Sequence, residues 1–173
     1  MEKNLIIEIC GSYRRGALDC GDIDILITHK TKKNLEGILQ NIVKKLHEEE
    51  FLTEDLSFGS SSDKYMGVCC ISRPFGSGIH RRIDIQTIQL EQWPLAILYF
   101  TGSSHFNRSM RLWARKNGFS LSEKTLQKRF FMSRRYSGSK EDDILGECIP
   151  IKTEKDVFEA LGLSYIPPNQ RNV

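Results

Sequence analysis

A chain of 173 residues, 39% hydrophobic and 27% charged, is long enough for one domain with a real core, or for two small lobes sharing one, and too short for a large multidomain enzyme. This balance excludes a disordered chain, no apolar run reaches membrane-spanning length, and five cysteines without a Cys-x-x-Cys pair point to a reducing compartment rather than a disulfide framework. The formal charge of +3 is mild but gathers in the second half, at Arg108, Arg111, Arg115, Lys116, Lys128, Arg129, Arg134, Arg135 and Lys140; such a half suits a polyanionic partner, although taken alone it is better explained as a solvated charged face.

The N-terminus passes straight into a strand-like run over residues 5–10, with no basic leader and no small-residue cleavage site, so export is not expected. A Gly-rich turn leads to a second strand over 23–28. Over 34–50, Leu35, Ile38, Leu39, Ile42, Val43 and Leu46 follow the i, i+3, i+4, i+7 rule and predict an amphipathic helix with Asn34 as its cap. Strands are predicted over 51–56 and 64–71 around a polar loop at 57–63, and over 81–88. The first half is thus a mixed sheet carrying at least one helix.

The second half begins with a helix over 91–100, broken at Thr101-Gly102, and a second helix over 103–117 ended by Gly118. On that helix Ser104, Asn107, Arg108, Arg111 and Arg115 share one side, and Phe106, Met110 and Trp113 the other. Residues 133–143 read as a loop. Thr153-Glu154-Lys155-Asp156 resembles a capping box with Asp in place of Glu and opens a last helix to Leu161. Pro167-Pro168 is expected to end the ordered structure. The four histidines are scattered and have no partner at zinc-ligand spacing.

Chemistry concentrates in "GSYRRGALDCGDIDIL", residues 11–26. In a strand, residues two apart point the same way, so Asp22 and Asp24 project together. Two convergent carboxylates can hold a hard cation such as Mg2+, which completes its oxygen shell with water and substrate phosphate. Alone, an Asp-x-Asp is better explained as a surface strand with alternating acids. Asp84, in the alternating "HRRIDIQTI", adds a third carboxylate if its strand lies beside the first, and three can hold two metals roughly 3.5–4 Å apart. A salt bridge with Arg81 or Arg82 explains Asp84 about as well. Upstream, Gly11-Ser12 lets the backbone approach an anion, Ser12 adds a hydroxyl, Arg15 offers a fork matched to phosphate, and Gly21 allows a second close approach. A plain turn with exposed arginines is the competing explanation, and the acids that follow weaken it.

"GSYRRG", "GDIDIL", "HRRIDI", "LYFTGSSHFNRSMR" and "GFSLSE", in that order, resemble the DNA polymerase X family, most closely its lambda and beta branch, and the likeness runs to the tail "YIPPNQR". The resemblance implies an α+β fold: a nucleotidyltransferase palm, a mixed β-sheet with helices, over residues 1–90, and a small α/β lobe that reads the nascent base pair over residues 91–173. It implies a DNA-directed DNA polymerase that adds dNTPs to a primer 3′-hydroxyl by two-metal-ion transfer, filling gaps in base excision repair or end joining. Asp22, Asp24 and Asp84 would bind two Mg2+ ions, with Mn2+ as a substitute, and Asp84 would help to deprotonate the primer hydroxyl. Gly11, Ser12, Arg15 and Gly21 would hold the triphosphate, and Arg82 would sit near Asp84 and the primer backbone. Tyr99, Phe100 and Gly102 would wall the nucleotide sugar, although Tyr99 and Phe100 fit the core side of an apolar helix equally well. Asn107 would reach the minor-groove edge of the incoming base, and Arg108 and Arg111 the template strand.

The resemblance further implies gapped or primed DNA and dNTP as partners, no membrane, a monomer, a nuclear location, and a cis peptide between Gly102 and Ser103. Two departures stand out. Gln86 replaces the arginine of beta-type enzymes, which puts a switch contact with Glu123 in doubt, and the lyase and helix-hairpin-helix regions that usually precede this one lie outside the sequence, as does an upstream triphosphate-binding arginine. The chain therefore reads as a minimal polymerase or as a piece of a longer one. A template-independent terminal transferase, disfavoured by the short loop at 57–63 and by "YFTG", and a catalytically inactive DNA-binding fragment are the alternatives.

Overall fold

Short runs rich in β-branched residues, separated by polar turns, build the first half of the chain. The computed structural model describes residues 3–59, 63–70, 78–131 and 143–172. Strand β1 (Leu5–Ile9) pairs antiparallel with β2 (Asp22–His29), and between them the Gly-rich turn closes into one short helical turn, α1 (Gly11–Arg14). Helix α2 (Ile38–Glu48) follows, then β3 (Leu52–Phe58), β4 (Lys64–Cys69) and β5 (Arg81–Thr87). The five strands form one mixed sheet in the order β1-β2-β5-β4-β3, with β2 and β5 parallel at its centre. The α+β class expected from the sequence is the one observed.

The alternation of β2 decides where everything else goes. Its odd-numbered Ile23, Ile25 and Ile27 face α2, joining a core with Leu39, Val43, Tyr65, Ile83 and Ile85. Its even-numbered Leu26 faces the other way, into a second core with Cys10, Ile88, Ala96 and Ile97. Asp22 and Asp24 share the parity of Leu26, so the pleat turns them away from α2 and towards α1 and the second half of the chain.

That half begins with a 3-10 turn (Leu90–Gln92) and α3 (Trp93–Thr101), which is apolar nearly all round because Ala96 and Ile97 enter the second core while Leu95 and Leu98 enter a third, in the second half of the chain. A cis Gly102-Ser103 bond, as expected, separates it from α4 (Ser104–Lys116), whose Ser103 cap accepts a hydrogen bond from Phe106 N at 3.2 Å. A small sheet, β6 (Phe119–Leu121), β7 (Leu126–Phe131) and β8 (Asp143–Cys148), and helix α5 (Glu154–Ala160) complete the lobe. Phe106, Met110 and Ala114 of α4 pack on Leu126, Val157 and Phe158.

Several expectations need correction. Asn34 does not cap α2: its Oδ1 accepts from Glu36 N at 2.9 Å, a local turn that delays the helix until after Gly37, which is left-handed at φ 79°. Ala114, not Trp113, completes the buried stripe of α4, because a spacing of four keeps it in line with Phe106 and Met110; Trp113 lies at the stripe's edge and donates from Nε1 to Leu161 O at 2.9 Å. The Thr153–Asp156 capping box is present. Order does not stop at Pro167-Pro168: Pro168–Gln170 is a 3-10 turn, and Arg171 beyond it is fully buried. Most of the loop expected over 133–143 lies outside the described residues, as do the middle of the 57–63 loop and Ile71. All five cysteines are free.

Candidate active site

The site grows from the register of β2 against β5. Asp24 lies opposite Asp84, and Asp22 opposite Arg82. In a parallel pair, facing residues share a side, so all three carboxylates and one guanidinium meet on the face that carries α1. The Arg82 guanidinium binds Asp22 Oδ2 through Nη2 and places Nε 3.7 Å from Asp84 Oδ1. The salt-bridge explanation of Asp84 is thus realised alongside the clustering of acids. Among the described residues no three acidic, histidine or cysteine side chains close into a ready-made metal cage: Asp22 is held by arginine, while Asp24 and Asp84 face each other across the strands.

The cluster carries a deficit of compensation. Asp24 is pushed up to about 6 by burial and by the charges of Asp22 and Asp84, against the pull of Arg82 and Arg15. Asp84 Oδ1 is buried and accepts no hydrogen bond. A buried, unsatisfied carboxylate oxygen is costly, and at a functional site it marks a place where a cation or substrate proton belongs. Gly11, left-handed at φ 55°, leaves the space beside Asp24 Oδ2 that a Cβ would occupy. The donor set is all oxygen, and it fits a hard divalent ion completed by water and phosphate.

Opposite the carboxylates stands the α3–α4 corner. Gly11, Ser12, Arg15, Asp22, Asp24, Asp84, Tyr99, Phe100, Gly102 and Asn107 all line one open cleft of about 640 Å³. Arg15 Nη1 donates to Thr101 O at 2.6 Å, tying the turn after α1 to that corner. Tyr99 and Phe100 pack edge to face with centroids 5.4 Å apart, and Tyr99 is more exposed than a core residue would be. Asn107 Nδ2 donates to Tyr99 O at 2.8 Å, and the Arg111 guanidinium lies 4.8 Å from the Tyr99 ring centroid. Glu123, the switch partner placed in doubt by Gln86, pairs instead with Arg111 Nη2 at 3.6 Å.

Residues 1–90 match the family DNA polymerase beta palm, and residues 96–172 match DNA polymerase beta thumb. The chain belongs to the DNA polymerase X family. It is 42% identical over 171 residues to DNA polymerase lambda of Rattus norvegicus, covering 97% of this chain and 29% of that protein. It is 34% identical over 174 residues to DNA polymerase lambda of Arabidopsis thaliana, covering 95% and 32%, and 28% identical over 197 residues to DNA-directed DNA/RNA polymerase mu of Homo sapiens, covering 96% and 36%. The chain thus spans about a third of the length of the curated relatives it matches.

In this family X chain, four of the expected residues stand apart from the cleft lining. Arg82 touches the cluster through Asp22 and Asp84. Arg108 and Arg111 lie on the exposed face of α4, and Gly21 has open space where a Cβ would be, so no packing restricts that position to glycine. The sequence reading missed Asp63, Lys64 and Lys124, which also line the cleft, as does Ser104, placed on the polar side of α4 but given no role. Lys124 Nζ lies 3.8 Å from Asp63 Oδ2, an ion pair joining the two halves at the cleft. Nothing local marks these residues, since each is an ordinary charged or polar residue in a turn or at an element end.

Proposed function

We propose that this chain is the palm and thumb of a DNA-directed DNA polymerase that joins a dNTP to a primer 3′-hydroxyl, with the division between palm and base-pair-reading lobe near residue 90. The observation that carries the reading is the single cleft lined by three strand carboxylates with the Gly11–Ser12 turn against them, and by Arg15 and the corner residues Tyr99, Phe100 and Gly102. Asp22, Asp24 and Asp84 would hold divalent metal, Mg2+ or Mn2+, which when bound neutralises phosphate charge and lowers the pKa of an attacking hydroxyl. The remaining work falls to the chain's own groups. Ser12 Oγ and the Arg15 guanidinium bind triphosphate oxygens, and Gly11 lets the backbone come close.

Tyr99, Phe100 and Gly102 press on the sugar where a 2′-hydroxyl would clash, and Asn107 and the α4 arginines meet the nascent pair and template. Asp84, with an oxygen free of hydrogen bonds, takes the proton as primer O3′ bonds to the α-phosphorus and pyrophosphate leaves. Arg82 fixes Asp22 and Asp84 in place. Gapped DNA in repair, acted on by a monomer in the nucleus, is the setting this reading favours; no helix among the described residues is long and apolar enough to cross a membrane.

Single-nucleotide gap filling in Mg2+ tests the proposal with wild type and Asp84→Ala. The expected outcome is loss of addition by at least about a hundredfold, the scale of losing a catalytic base, with an unchanged circular dichroism spectrum. A variant as active as wild type would overturn it.

A further inference from the structure

Arg15 follows α1 on a surface turn, and a long arginine side chain does not aim itself. Its guanidinium has five N–H groups. One, on Nη1, is spent on Thr101 O at 2.6 Å, and another, Nε, donates to Asn172 Oδ1 at 2.8 Å. Asn172 Nδ2 donates in return to Arg15 O at 3.4 Å. The brace comes from 157 positions away in the chain.

An exposed asparagine in a tail is ordinarily a poor support. This one follows Arg171, whose side chain is fully buried among the rings of Phe106, Phe158 and Tyr165, 5.2, 5.5 and 5.7 Å from their centroids. Arg171 Nη1 donates to Glu154 Oε1 at 2.8 Å and Nε to Ile166 O at 2.9 Å, while its carbonyl accepts from Ser103 N at 3.4 Å. The tail is therefore fixed at Arg171, against the same corner that lines the cleft. Asn172 is delivered to Arg15 by a buried anchor.

We infer that Asn172 is a positioning residue for nucleotide binding: held by the Arg171 anchor, it orients the Arg15 guanidinium so that its remaining N–H groups face the triphosphate. It acts through Arg15 alone. The inference rests on the reading of the cleft as a nucleotide site.

A double-mutant cycle of Asn172→Ala and Arg15→Ala tests it, read by the KM and kcat of gap filling and by equilibrium binding of a non-hydrolysable dNTP analogue with Mg2+. Asn172→Ala is expected to raise KM and weaken analogue binding about fivefold, with kcat within about twofold and an unchanged melting temperature. In the Arg15→Ala background, where KM is already raised, adding Asn172→Ala should change neither readout further. An equal loss in both backgrounds, or a loss in kcat alone, would overturn the role of Asn172. An Arg15→Ala variant with unmoved KM and analogue binding would overturn the assignment of Arg15 and the inference with it. A wild-type chain that neither binds the analogue nor extends a primer would overturn the polymerase reading beneath both.

Discussion

Gly11 concentrates the constraints that act on single residues. Its backbone is left-handed at φ 55°, and a Cβ there would run into the Asp24 carboxylate. Gly11→Ala is expected to cost ~1–2 kcal/mol for the backbone alone, plus the displacement of Asp24, and to depress nucleotide addition. Urea unfolding checks the first effect and gap filling the second; a stability equal to wild type would mean that the turn can rearrange. Much at this scale was legible in advance. Asp22 and Asp24 could be placed together because the period of a strand puts residues two apart on one side, whereas Asp84 joins them only through the register of β5 against β2. What could not be read was Arg82 holding Asp22, or Asn107 bound to Tyr99, since those partners depend on register and on a corner that no local pattern encodes.

At the scale of elements, adjacent arginines divide two tasks. Arg15 faces the cleft, whereas Arg14 Nη2 donates to Glu154 Oε2 at 2.7 Å and its Nη1 to Thr101 Oγ1 at 2.7 Å. Glu154, at the start of α5, thus sits between Arg14 and Arg171. Burial works to raise its pKa, but the hydrogen bonds from the two arginines prevail and hold it below the ordinary 4.5. A carboxylate with a lowered folded pKa binds fewer protons in the native state, so its contribution is complete above about 4.5 and is lost as pH falls through the folded value. Melting temperature should therefore drop in acid, and Glu154→Gln should flatten that part of the profile. At neutral pH, Glu154→Ala should cost about 3–5 kcal/mol, because it strands a buried arginine. An acid limb of the same slope in Glu154→Gln would assign the loss to other groups.

The elements themselves were unevenly legible. The amphipathic α2 and α4 announce themselves because each buries one stripe. β7 and β8 do not: Phe130, Ile144 and Leu145 are exposed, so no alternation of apolar and polar residues survives to mark a strand. The buried tail was missed for another reason. Arg171 is stabilised by Tyr165 of the same tail and by Glu154, Phe106 and Phe158 from elsewhere in the chain, and a short run containing two prolines looks like an ending when those distant partners are out of sight.

For the whole molecule, charge is the property that matters at a distance. Arg108, Arg111, Arg115 and Lys116 are exposed along α4, on the lobe that borders the cleft. Binding to gapped DNA should weaken steeply with salt, by roughly 0.9 in the logarithmic slope per phosphate neutralised. Arg108→Ala should lower that slope by about one unit. Fluorescence anisotropy over a salt series would show this, and an unchanged slope would mean that Arg108 faces away from DNA.

The double allegiance of β2 also limits how such a chain can change length. Its odd-numbered isoleucines belong to one core, and its even-numbered residues to the other core and the carboxylate cluster. Deleting or duplicating one codon within the strand would exchange the two sets, turning Asp24 into an apolar interior and an isoleucine out towards the cleft. No single compensating substitution could undo that, since every position on one side of the change shifts together. Changes in length are confined to the connections between strands, and β2 itself can drift in composition but not by a single residue in size.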